Sequence, residues 1–168
     1  MSSEDMELAV KHFFSSPRFA VAGASTDASK FGYKLLAWYH QHSLLVTPLN
    51  PKAPEIQLRS KSYATVKSPS ELSSPTQTSL SIVTPPKVTR EILKEAHALN
   101  IPAVWLQPGT FDDEILEYAK KNFKAAIGGE GGNGGEGWCV LWMVRTACRL
   151  RAETGHSRSC NGLLSRNC

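Results

Sequence analysis

Short apolar runs alternate with stretches of helical period along most of this chain, and that alternation restricts the fold more than any single motif does. RFAVAG (residues 18–23), SLLVTPLNP (43–51), SLSIVTPP (79–86), PAVWLQPG (102–109) and KAAIGG (124–129) read as buried strands closed by glycine or proline. Between and before them, apolar residues recur at helical spacing: Met6, Ala9, Val10, Phe13 and Phe14, then Leu35, Leu36 and Tyr39, then Val88, Ile92, Leu93 and Ala96. A further helix opens at TFDDE, with Thr110 as its cap, acids in its first turn and lysines in its last, matched to the helix dipole. Residues 52–78 are polar and proline-punctuated, a connector with one short helix predicted near SPSEL.

Strands joined through helices by short turns form parallel crossovers. The predicted fold is therefore α/β, a Rossmann-like doubly wound, mainly parallel sheet of five to six strands with helices on both faces, in three layers. At 168 residues the chain has room for one such domain, assigned to residues 1–141, and not for a second catalytic domain. No apolar stretch approaches the roughly 18–20 residues of a spanning helix, and the N-terminus carries acids where a signal peptide carries bases. The location predicted is the cytoplasm, with no membrane partner and no transit peptide for a mitochondrial address. Cys139, Cys148, Cys160 and Cys168 have no CxxC spacing, so no metal site is predicted, and His40 and His42 read as solvated surface histidines.

In sheets of this kind ligands bind at the carboxyl ends of the strands, which directs attention to the turns. The first, after FAVAG, runs Gly23, Ala24, Ser25, Thr26, Asp27 to Lys30 and restarts as a helix at Gly32. It lacks the G-x-G-x-x-G of dinucleotide sites and the G-K-[ST] ending of a P-loop. What remains is a glycine turn, two hydroxyls, a lysine and a helix N-terminus, which either receives an anion or is a plain turn with a capping serine. The second turn, Asn50, Pro51 and Lys52, has no acid to hold a ribose 2′-hydroxyl, which argues against NAD. Asn50 either bonds a base or sugar or only forms the turn, and Lys52 can reach a phosphate. Pro85, Pro86 and Tyr63 are candidates for an apolar slot.

VAGAS, KFGYK, PLNPK, IVTPP and AVWLQPG stand in the order and spacing of the CoA-binding domain family, and from Arg18 to Ile127 the chain resembles its stand-alone members, which are similar to the N-terminal domain of the succinyl-CoA ligase α subunit. The resemblance implies coenzyme A or an acyl-CoA as ligand. It also implies contacts from Gly23, Ser25, Thr26 and Asp27 to the phosphates, charge from Lys52, and Val83, Thr84 and Pro85 flanking the adenosine. The ligase's phosphohistidine domain has no counterpart here, His97 lies on a regular helix, and Asp112, Asp113 and Glu114 suit a helix's first turn. A binding or regulatory module with no catalytic residues is the favoured reading, with a protein partner undefined. The alternative is an NAD(P)- or nucleotide-binding enzyme or a small CoA-thioester enzyme.

GGEGGNGGEG (128–137) is either a mobile lid or a connector, and WCVL begins one more apolar element. Lysines and arginines balance the acids through Leu141, so the whole formal charge of +4 falls in the segment from Trp142, where Arg145, Arg149, Arg151, Arg158 and Arg166 face only Glu153. Members with a similar glycine-rich region continue WCVL with residues like VDGEDGL, and codons for that segment read with one base dropped spell WMVRTAC, the residues Trp142 to Cys148 here. Residues 142–168 are accordingly read as a disordered or out-of-frame tail and not as a nucleic-acid-binding arm.

Overall fold

The structure, a computed structural model, describes residues 3–128. The later glycines, WCVL and the arginine-rich tail lie outside the described residues. In chain order the elements are α1 (Ser3–Ser15), β1 (Arg18–Ala22), α2 (Phe31–Gln41), β2 (Val46–Leu49), β3 (Glu55–Gln57), β4 (Ser62–Ala64), β5 (Thr78–Ile82), α3 (Pro86–Ala98), β6 (Ala103–Leu106), α4 (Asp113–Asn122) and β7 (Ala125–Ile127). Five strands form one parallel sheet in the order β2-β1-β5-β6-β7. Among the described residues no helix is long and apolar enough to cross a membrane.

Alternation along the strands divides the core in two, because successive side chains of a strand point to opposite faces. Phe19, Val21, Ala103, Trp105, Ala125 and Ile127 pack with Val10, Phe13 and Phe14 of α1 and with Leu35, Leu36 and Tyr39 of α2. Ala20, Ala22, Leu80, Ile82, Val104 and Leu106 pack with Leu93 and Ala96 of α3 and with Ile115 and Ala119 of α4. The first cluster is aromatic: Phe13 meets the edge of Trp105 at 5.3 Å, and Phe19 stacks on Tyr39 at 5.3 Å. Each such large side chain withdrawn from water contributes about 1.5–3 kcal/mol.

Strand β5 is unusual in burying hydroxyls, and each has a partner. The Ser79 hydroxyl lies 2.8 Å from the Phe13 carbonyl oxygen and 2.7 Å from Ser16 Oγ, which fixes the end of α1 to the sheet. Ser81 Oγ and the Tyr39 hydroxyl are 2.7 Å apart. Burial pushes the Tyr39 phenol well above its ordinary range, against the pull of that hydrogen bond, so the ring stays neutral.

Several expectations are corrected. Helix α4 is capped by Asp112, whose carboxylate accepts from the Ile115 amide at 2.8 Å; Thr110 instead donates to the Gln107 carbonyl at 2.7 Å, closing the turn after β6. Val88 is 46% exposed, and the buried stripe of α3 runs through Thr89, Leu93 and Ala96. Thr89 tolerates burial because its hydroxyl donates to the Thr84 carbonyl at 3.0 Å. The polar connector contains an antiparallel hairpin, with Ile56 opposite Tyr63, whose three-residue strands are too short to show a period. The short helix predicted near SPSEL is present, as a 3-10 turn over Pro69–Glu71. His40 is not a solvated histidine: its ring nitrogens lie 2.8 Å from the Tyr63 hydroxyl and 2.9 Å from Ser60 Oγ, which docks the hairpin on α2. His42 stacks on Trp38 with ring centres 4.3 Å apart.

Candidate ligand site at the sheet switch point

From β1 the chain moves outward to β2, then returns to place β5 on the other side of β1, so the strand order reverses between β1 and β5. Crossovers leave a crevice at such a point, outside the carboxyl ends of the two strands. Ala22 pairs with Ile82 at those ends, and the Val83 amide donates to the Ala22 carbonyl at 2.9 Å. Gly23 follows with φ +90°, a left-handed conformation that favours glycine. A Cβ there would lie 2.9 Å from Val83 Cγ2, so the first and third turns touch across the switch point because Gly23 has no side chain.

The first turn is held by its own side chains. Ser25 Oγ accepts from the Asp27 amide at 3.1 Å, and Asp27 Oδ1 accepts from the Ser29 hydroxyl at 2.7 Å and the Ser29 amide at 2.9 Å. Those two bonds from Ser29 hold the Asp27 carboxyl below the usual carboxylate range. Thr26 and Lys30 are exposed. Lys30 is the residue before α2, and its side chain makes no capping bond; α3 likewise follows Pro85 with no side-chain cap. Helix α4, which begins away from the switch point, has its Asp112 cap. Helix α2 thus leaves its first-turn amides available to an anion, whereas α3 opens on Pro86, which has no N–H, and its Val88 and Thr89 amides donate to the Pro85 carbonyl at 2.9 Å.

Asn50 joins the second turn to the first. Its Nδ2 donates to the Ala24 carbonyl at 3.0 Å, while its Oδ1 accepts from the amides of Lys52 at 2.8 Å and Ala53 at 3.1 Å. Pro51 and Lys52 are exposed, and among the described residues neither Lys52 nor Lys30 belongs to an ion pair. In the third turn Val83 and Pro86 are half-buried, Pro85 is exposed, and Thr84 is buried with its hydroxyl 2.8 Å from that of Thr89.

The sequence-derived residues therefore fall on three turns at one end of the sheet. Tyr63, the other candidate for an apolar slot, meets His40 through its hydroxyl and has the Lys61 ammonium 4.6 Å from the centre of its ring. Two apolar side chains were missed. Phe31 and Val88, in the first turns of α2 and α3, remain 37% and 46% exposed. For Phe31 the signal in the sequence is an apolar residue at the start of a helix and off its stripe; Val88 fits the stripe of its helix, so no local signal marks it. Among the described residues no group of His, Cys, Asp or Glu could hold a metal ion.

A parallel α/β sheet with a glycine turn and helix starts at its switch point has the architecture in which nucleotide cofactors are bound at that point. Comparison with family models gives the particular case. Residues 17–131 match the model described as CoA binding domain, and the chain belongs to that family. A conserved hypothetical protein from Pyrococcus furiosus is similar in structure, with TM-score 0.58 and 29% identity over 65% of this chain and 90% of that one. A protein from Thermus thermophilus, "cell-free ID.343", has TM-score 0.61 and 26% identity over 76% of this chain and 90% of that one. A hypothetical protein from Pyrococcus horikoshii has TM-score 0.63 at 20% identity over 76% and 84%, a likeness of fold. Comparison with curated proteins gives no match.

Proposed function

We propose that this protein binds coenzyme A or an acyl-CoA at the β1–β5 crevice and acts as a non-catalytic binding or regulatory module. The observation that carries this function is the close approach of Gly23 to Val83, which leaves a backbone cradle where any other residue would put a Cβ 2.9 Å from that side chain. The amides of Ala24, Ser25 and Thr26 and those of Phe31 and Gly32 at the start of α2 would take the pyrophosphate, with Asp27 shaping the turn, since the amides of Gly23, Asp27, Ser29 and Lys30 are bonded to Leu49, Ser25 and Asp27. Lys30 and Lys52 would supply charge, and Asn50 and Pro51 would set the position of Lys52. Val83, Thr84, Pro85 and Pro86 would flank the adenosine. Coenzyme A carries a pyrophosphate and a ribose phosphate, so it offers these cations more than NAD does.

Membership of the CoA binding domain family supports the choice of ligand. For the non-catalytic role, the support is that the polar side chains of the turns are engaged in holding the turns themselves: Asp27 bonds Ser29, Asn50 bonds two loops, and Thr84 bonds Thr89. Titration calorimetry on the full chain with coenzyme A, acetyl-CoA, dephospho-CoA, NADH and ATP tests the proposal. Heat with coenzyme A or acetyl-CoA, reduced for dephospho-CoA, and no consumption of acetyl-CoA on prolonged incubation is the expected result. Binding of NADH alone would overturn the ligand; turnover of the thioester would overturn the role.

A further inference from the structure

We propose that Asn50 is a positioning residue that locks the Gly23 turn and the Lys52 ammonium into one receptor, so that Lys52 contributes to binding only while Asn50 is in place. This rests on the coenzyme A reading of the site. An asparagine that merely forms a turn uses its side-chain oxygen on the amides that follow it. Asn50 does so with Lys52 and Ala53, but it also donates across 26 positions of sequence to the Ala24 carbonyl, which no turn requires. One half-buried amide thereby fixes three backbone groups on two separate loops.

The asparagine is itself anchored. Its amide donates to the Val66 carbonyl at 2.9 Å, and the Val66 amide donates to the Pro48 carbonyl at 3.1 Å, an extra bridge on the open side of edge strand β2. The main chain at Asn50 is therefore rigid, and its side chain passes that rigidity to Ala24, the residue after the left-handed glycine. Lys52, two residues on, is a flexible cation on an exposed loop with no carboxylate partner among the described residues. Without the Asn50 side chain the two turns are still joined at the strand ends, where the Gly23 amide donates to the Leu49 carbonyl at 3.3 Å. The amides of Lys52 and Ala53 lose their acceptor, however, and the Ala24 carbonyl its donor, so the distance between that cation and the amides of the first turn is no longer fixed. A ligand bridging both would then lose the benefit of a prepared geometry.

A double-mutant cycle with calorimetry of coenzyme A binding tests this on the full chain, using wild type, Asn50→Ala, Lys52→Ala and the double variant, with thermal denaturation of each run alongside. Each single change is expected to weaken binding about tenfold. The double variant is expected to bind little worse than either single one, because groups that act as a unit are not additive. Losses that multiply would overturn the proposal, since the two residues would then act independently. Asn50→Ser keeps a side-chain acceptor for the following amides but is too short to reach Ala24. It is expected to bind as weakly as Asn50→Ala; binding at the wild-type level would leave Asn50 a simple turn former. A wild type that binds no coenzyme A overturns the ligand reading and this role with it, whereas binding with independent effects overturns this role alone.

Discussion

Gly32 faces the carbonyl oxygen of Gly23 so closely that a Cβ on it would come within 2.1 Å of that oxygen. Helix α2 consequently starts pressed against the turn it follows, and its first amides are brought to the carboxyl end of β1. Replacing Gly32 by alanine must push the helix start or the turn aside. A loss of about 1–3 kcal/mol is expected, the usual cost of overpacking, together with weaker ligand binding. Gly109 provides the control: it also has positive φ, at +83°, but nothing lies within 4 Å of its missing Cβ. Gly109→Ala should cost about 1–2 kcal/mol through backbone strain and leave ligand affinity unchanged. Denaturant unfolding and calorimetry on both variants would check the pair.

Lys52 is exposed and outside every ion pair among the described residues, so its removal should leave the fold alone. For Lys52→Ala the melting temperature is expected to match wild type, while coenzyme A affinity falls about tenfold, the low end of the worth of a hydrogen bond to a charged group. Wild-type affinity should also fall as salt is added, and the variant's should fall less. Isothermal titrations at two salt concentrations measure both effects.

The buried pair of Tyr39 and Ser81 makes a different prediction. Tyr39→Phe leaves the Ser81 hydroxyl without its partner at 2.7 Å, at an expected cost of about 1–3 kcal/mol. Adding Ser81→Ala should recover part of that loss, because removing both partners leaves no buried polar group unmatched. The phenol's raised pKa also fixes a sign. Above about pH 10, the ordinary tyrosine value, the unfolded chain releases a proton that the folded one keeps, so this contribution to stability falls as the pH rises. Alkaline melts of wild type and Tyr39→Phe should converge.

Glu95 on α3 accepts from the Ser68 hydroxyl at 2.8 Å and from the Ser70 amide at 2.9 Å. Burial opposes its charge, but the bonds from Ser70 and Ser68 prevail and hold the carboxyl below its ordinary range. Stabilisation from Glu95 is therefore present above the unfolded value of about 4.3 and is lost as the pH falls through the lower folded value. Melting temperatures of wild type and Glu95→Gln should differ at neutral pH and approach each other on acidification.

The strands and the main stripes of the helices were legible because burial imposes a period. RFAVA alternates between the two faces of the sheet, and Met6, Val10, Phe13 and Phe14 mark one side of α1. Reading failed where a short-range bond outweighs the pattern. Thr110 resembles a helix cap, but the turn at Gly109 delays the helix until Asp112. Val88 fits a helical stripe as well as Thr89 does; only the Thr84 carbonyl, brought close by the fold, makes the threonine the buried one. His40 and Tyr63 are 23 positions apart, and no local signal announces that they touch.

The amino-acid order by itself determined the alternation of strands and helices, the turns that carry Gly23, Asn50, Lys52 and Val83, and the cofactor class those turns suggest. Periodicity and turn chemistry are local properties, so they survive in the linear chain. Only tertiary structure decided that β5 lies beside β1 with β2 on the other side, that Gly23 abuts Val83, and that Asn50 reaches Ala24. Those contacts depend on where crossovers place the strands and on distances through space, which spacing along the chain does not encode.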